Sequence, residues 1–192
     1  MLEISHHFEA FPVLETDRCT LRELTDDDLP AFFEMVRQDE VTQYLPWDTA
    51  QTPEDADVYL QKNMRQFREQ TGIVWGVVNK EQNALMGSCT LFNLNTAHHR
   101  AETGYMLGSA WWRQGYMHEV CARVVEFAFA EMKFHSLMAR IDPANVGSQK
   151  LLEKLGFVQE GYFRENYYDE NTGTFGDTAM FSLLASWWRD CD

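Results

Sequence analysis

Eighteen residues, Glu102 to Glu119, constrain this chain more than any other stretch. Tyr105, Met106 and Leu107 form a short apolar run that Gly108 and Ser109 end, which predicts a strand running into a turn. Met117, Val120, Cys121, Val124, Ala128 and Met132 then recur at three- and four-residue steps, which predicts a long amphipathic helix. Between them, Gly115 stands where that helix begins and allows close approach to the backbone. The first amides of a helix lack intrahelical partners and lie at the positive end of its dipole, so such a turn suits a phosphate. Arg113 adds a fixed positive charge beside them. Taken alone, the same pattern also describes a plain strand, turn and helix whose glycine only relieves packing.

A second landmark follows downstream. Asn145, Val146, Gly147 and Ser148 precede Lys150-Leu151-Leu152-Glu153-Lys154-Leu155-Gly156-Phe157. Together the two segments resemble the GNAT superfamily of acetyl-CoA-dependent N-acetyltransferases, and within it the Rim-type enzymes that acetylate ribosomal-protein N-termini. The family's Gln/Arg-x-x-Gly-x-Gly/Ala pattern maps onto Trp112, Arg113, Gln114, Gly115, Tyr116 and Met117. Trp112 stands where Gln or Arg is usual, Met117 where a small residue is usual, and Gly115 is kept. The opening run from Leu14 to Leu24, with Thr16, Arg18, Leu21 and Arg22, also resembles the start of Rim-type enzymes.

The chain has 192 residues, the length of one domain that buries a core without staples, and residues 1–192 read as a single domain. Hydrophobic residues make up 45%, which excludes a disordered chain, and no apolar run reaches a membrane span of about 18–20 residues. The N-terminus shows no basic region followed by an apolar core, so the expected location is the cytoplasm. Cys19, Cys89, Cys121 and Cys191 lie far apart and read as reduced thiols. The adjacent pairs His6/His7 and His98/His99 lack metal-ligand spacing, so no metal is expected. The formal net charge of −14 disfavours nucleic acid and suits a cationic partner through steering. No membrane association is expected.

In chain order, alternation at residues 18–24 predicts a first strand. Thr25 then caps a helix with Asp26, Asp27 and Asp28 in its first turn. Residues 39–53 read as a loop carrying Tyr44, Leu45, Pro46, Trp47 and Asp48, and Thr52-Pro53-Glu54-Asp55 starts a helix that ends near Gly72. Residues 73–78 and 85–91 read as a hairpin, 95–100 as a polar connection, and 136–141 as a strand. Residues 146–155 read as a short helix. Residues 157–162 and 178–184 are the last strands, joined by a polar loop with Asn171, Thr172, Gly173 and Gly176. The class is α+β. The GNAT resemblance implies a central mixed, mostly antiparallel sheet flanked by helices, with a splayed strand pair that receives the cofactor.

The resemblance also implies roles. The turn 112–117 would cradle a pyrophosphate, and Met106, Leu107 and Gly108 would lie beside the pantetheine arm, with the Leu107 amide as oxyanion donor. Asn145 would bond the pantetheine and Ser148 would reach the sulfur. The tyrosine that many relatives carry seven residues after the asparagine is Leu152 here, which leaves Ser148 to help the departing thiolate. Ser148 also suits a helix N-terminal cap. Glu102 shares a strand face with Gly104 and Met106 and is the candidate base, through water, or else a structural ion pair. An N-terminal amine, with a pKa near ~8 against ~10.4 for lysine, needs only a weak base. The cosubstrate implied is therefore acetyl-CoA, and the acceptor a cationic amine, a ribosomal-protein N-terminus first among them. A small-molecule amine acetyltransferase and a non-catalytic acyl-CoA-binding module are the alternatives. Monomer and dimer both remain open.

Overall fold

A computed structural model describes residues 2–169 and 173–189. Among these, eight strands form one sheet: β1 (Leu14–Glu15), β2 (Cys19–Glu23), β3 (Gly72–Asn79), β4 (Ala84–Asn95), β5 (Arg100–Leu107), β6 (Ser136–Ile141), β7 (Val158–Asp169) and β8 (Thr174–Leu184). Their spatial order is β1-β2-β3-β4-β5-β6-β8-β7. Every pairing is antiparallel except β5 with β6. A mixed, mostly antiparallel sheet is the expected class.

Helices cover both faces. The helices α1 (Leu29–Val36) and α3 (Pro53–Arg68), with the short α2 (Asp39–Thr42) between them, lie on one side. Phe32, Val36, Ala56 and Leu60 there meet Val74, Val78 and Met106 of the sheet. On the other side, α4 (Tyr116–Glu126) presents Met117, Val120, Cys121 and Val124 to Trp75, Cys89 and Leu91. The expected stripe is buried throughout. Its end departs from a regular helix: residues Phe127–Glu131 form a π-helical turn, with Met132 N–H bonded to the Phe127 carbonyl at 3.0 Å. The wider turn keeps Phe127, Ala128, Phe129 and Met132 all in the core, the buried Phe and Met side chains being worth about 1.5–3 kcal/mol each. Helix α5 (Val146–Lys154) follows β6. Helix α6 (Ala185–Arg189) follows β8, with Trp187 and Trp188 against the α4-side core and Trp188 5.8 Å from the Phe129 ring.

Several boundaries differ from expectation. Residues 39–42 are helical rather than loop. Asp26–Asp28 form a 3₁₀ turn, and the α-helix starts only at Leu29, where Pro30 sits in the first turn. The last two strands run well past Tyr162 and start well before Thr178, because backbone pairing continues through Tyr168–Phe175 where both faces are exposed and no apolar alternation marks a strand. Gly176 therefore lies in a strand under the Tyr167 ring. Asn171, Thr172 and Cys191 fall outside the described residues.

Asp28 is 6% exposed and ties α1 to the sheet: its two oxygens accept from Arg22 at 2.7 Å each, and one also accepts the Thr25 amide at 2.8 Å. Burial raises its pKa, but the Arg22 and Thr25 bonds outweigh burial and hold it below the ordinary carboxylate value. A folded-state pKa below the unfolded one gives stability that is full above the unfolded value of roughly 3.9 and is lost as pH falls through the folded value. Asp28→Asn should therefore cost about 1.5–3 kcal/mol at pH 7. Urea unfolding midpoints of variant and wild type should draw together as pH falls below the unfolded value.

Candidate functional site

Strands β5 and β6 pair only at Arg100–Ser136, Ala101–Leu137 and Glu102–Met138. Beyond that fork each stays with its other neighbour: β5 pairs with β4 to Leu107–Gly87, and β6 pairs with β8 to Ile141–Ala179. The strands thus part where two polar rows of backbone remain. Phase follows from one bond, Gly108 N–H to the Met86 carbonyl at 2.8 Å, because in an antiparallel ladder alternate residues turn their polar groups to the same neighbour. Met106 and Gly108 therefore turn theirs to β4, while Tyr105 and Leu107 turn theirs into the gap. Of the three residues expected beside a ligand, Leu107 has an amide aimed into the gap. The Met106 side chain is core, 5% exposed, on the α1 face. Tyr105 is the residue the sequence did not single out.

Gly87 permits this geometry. A Cβ there would overlap the Met106 carbonyl oxygen and stand 3.0 Å from Leu107 Cα, on the side of β5 away from the gap.

After β5, Ser109–Trp111 make a 3₁₀ turn, and the chain enters α4 through Arg113 at φ 60° and Gly115 at φ 82°. Two left-handed residues so close together fold back a backbone concavity of the kind that receives anions. Gly115 is the N-cap of α4, with its side open except for Arg18. Trp112, 39% exposed, donates its indole N–H to the Leu107 carbonyl at 2.7 Å, so this departure from the motif supplies a donor to the gap-facing backbone. Gln114 donates its side-chain amide to Ala110 O at 2.9 Å. Tyr116 packs edge-on to Trp111, and Met117 is buried.

Across the gap, the first turn of α5 is capped by Asn145, whose Oδ1 accepts the Ser148 amide at 3.0 Å. The cap is thus Asn145, and Ser148 is the capped residue, its hydroxyl outside that bond. The Tyr105 hydroxyl donates to the Ser148 carbonyl at 3.3 Å and so joins β5 to α5 over the gap. Burial pushes that hydroxyl well above the ordinary tyrosine value, which keeps it a donor. Leu152 is fully buried.

Glu102 stands at the fork. Its side chain is 15% exposed, and Oε2 accepts from Arg140 Nε of β6 at 2.9 Å with Nη2 in ion-pair contact at 2.9 Å, while Oε1 accepts from Asn93 at 3.0 Å. The ion pair spans the two parting strands. Five strand steps, roughly 17 Å, separate Glu102 from Leu107, so a proton travels between them only through intervening water. Tyr44 and Tyr167 reach the segment just after β6, donating to Ala144 O at 3.3 Å and Asp142 Oδ2 at 3.1 Å. Among the described residues, no group of three His, Cys, Asp or Glu is placed to hold a metal, and no helix is long and apolar enough to cross a membrane.

A strand pair thus opens toward a turn of left-handed residues, with a capped helix facing it. Residues 18–158 match the family described as Acetyltransferase (GNAT) domain. The chain is 35% identical to "Uncharacterized N-acetyltransferase YoaA" of Bacillus subtilis (strain 168) over 91% of its own length and 97% of the relative's. It is 25% identical to the [Ribosomal protein uS5]-alanine N-acetyltransferase of Escherichia coli (strain K12) over 65% of this chain and 64% of that one. A GNAT-family acetyltransferase structure from Bacillus anthracis superposes with a TM-score of 0.81, covering 91% of this chain and 99% of that one at 24% identity. The chain belongs to the GNAT acetyltransferase family and is an N-acetyltransferase.

Gly87→Ala should force β4 from β5 beside Leu107 and lower stability by about 2 kcal/mol or more, read as a fall in thermal unfolding midpoint.

Proposed function

We propose that this enzyme transfers the acetyl group of acetyl-CoA directly to an amine, and that the amine is a protein N-terminal α-amine. The observation that carries the reading is the parting of β5 and β6 after Glu102, with the Tyr105 and Leu107 backbone turned into the gap and the Arg113–Gly115 turn at its end. In this reading the turn and the α4 N-terminus take the pyrophosphate, and the β5 backbone pairs with the pantetheine arm as an added strand would. A gap-facing amide of Leu107 or Tyr105 takes the charge that builds on the thioester oxygen. The nitrogen attacks the carbonyl carbon, the carbon–sulfur bond breaks, and the electron pair leaves on sulfur. Ser148 relays a proton to that sulfur, and the ammonium proton passes to water.

Four considerations favour a protein α-amine acceptor. Arg140 and Asn93 engage the Glu102 carboxylate, so its geometry is that of a fork clamp before that of a strong base. Near pH 7 roughly a tenth of an α-amine is already neutral, against less than roughly one in a thousand of a lysine amine, so the acceptor asks little of a base. The uS5-alanine enzyme among the relatives acts on a ribosomal protein. The net charge of −14 suits a basic protein surface.

The deciding experiment compares protein N-termini and small amines by mass spectrometry in cells with and without the enzyme, beside CoA release with a panel of purified amines. Loss of acetyl groups from one or a few basic protein N-termini supports the reading; a changed small amine with unchanged N-termini replaces the acceptor. CoA binding without amine-dependent release sinks catalysis altogether. Gly115→Glu, which places a side chain and a negative charge in the turn, should abolish CoA binding by calorimetry. Ser148→Ala should lower kcat roughly tenfold or more while leaving the KM for acetyl-CoA within about twofold.

A further inference from the structure

We propose that Arg18 is a positioning residue that aims the phosphate-binding turn, acting from behind it through the Gln114 carbonyl. The inference rests on the acetyl-CoA reading above. Arg18 immediately precedes β2, and β2 lies three places from β5 on the side away from β6. Its Nη1 donates to the Gln114 carbonyl at 3.0 Å, and its Nη2 stands 3.5 Å from where a Gly115 Cβ would be. In a trans peptide the C=O and the following N–H point in opposite directions. With the Gln114 oxygen drawn toward β2, the Gly115 N–H is turned the other way, toward the open side of the turn. Nothing in the turn's own sequence fixes that plane, because Gly115 at φ 82° tolerates several orientations.

Glu119 makes Arg18 rigid and explains why an arginine is needed. Its two carboxylate oxygens accept the Arg18 backbone N–H at 2.9 Å and Nε at 2.6 Å. The guanidinium also lies 4.2 Å over the Tyr116 ring. A carboxylate in the first turn of α4 repels a phosphate bound at that helix end. Arg18 pairs with it and cancels that charge, in a protein whose net charge already opposes anions. A lysine keeps the charge but has no planar fork to serve carbonyl and carboxylate together.

The test measures binding of CoA and of pantetheine, which lacks the pyrophosphate, to the wild type, Arg18→Met and Arg18→Lys by calorimetry and ligand-observed NMR. The expected result is a CoA Kd weakened roughly tenfold or more in Arg18→Met, with Arg18→Lys intermediate. The ratio of CoA to pantetheine affinity should fall by about the same factor. A general loss of structure weakens both ligands alike and leaves that ratio unmoved, which would overturn the assignment. So would a CoA Kd within about twofold of wild type in both variants. If Arg18→Met does not fold, Arg18→Lys decides, and it is expected to lower the same ratio. A wild-type chain that binds no CoA would instead overturn the cofactor reading itself, and this one with it.

Discussion

The rest of the structure depends on the place where two neighbouring parallel strands stop pairing. Strand pairing satisfies backbone polar groups, and leaving them unpaired inside a protein is costly. β5 and β6 meet that cost by keeping their outer partners, β4 and β8, and surrendering only the ladder between them. What remains is a short internal edge. An exposed edge is a template for another strand, and here that template faces inward, between the two halves of the sheet. Helices on both faces hold the two halves of the sheet, so the gap opens without the core coming apart.

Long-range polar bonds set the margins of that gap. Glu102 and Arg140 clasp its closed end, Tyr105 ties β5 to the first turn of α5, and Trp112 bonds back to the Leu107 carbonyl. Arg18 and Glu119 support the turn from the far side. Each bond holds one margin of the gap against a second segment of the chain. Acyl transfer is sensitive to shifts of about an ångström, because reacting atoms must be held near contact distance. The two tyrosines that converge on Asp142 and Ala144 place the segment before Asn145 between the α2 loop and the β7–β8 hairpin. A single segment thus links the gap to both flanking elements.

Much of this was legible because it is local. The stripe from Met117 to Met132, the turn at Gly115, the helix start at Thr52-Pro53 and the strand Ser136–Ile141 all follow from spacing and capping rules that act within a few residues. The departures have equally local limits. A π-helical turn keeps the same residues in the core that a regular turn of the right spacing would, so periodicity does not reveal it. The hairpin of β7 and β8 carries Tyr162, Phe163, Tyr168 and Phe175 in the open, and a strand exposed on both faces writes no alternation into the sequence.

The sequence by itself determined the family, the order of elements, the turn, and the absence of a tyrosine at Leu152, because each is a property of a residue type at a position. Only the tertiary structure decided what those residues do. Asn145 rather than Ser148 caps α5, Glu102 is held by Arg140, and Arg18 grips Gln114 across 96 residues of chain. The physical reason is that a charge or a hydroxyl is defined by its nearest partner. For these groups that partner is brought near by the sheet, in an order and register that no run of neighbouring residues encodes.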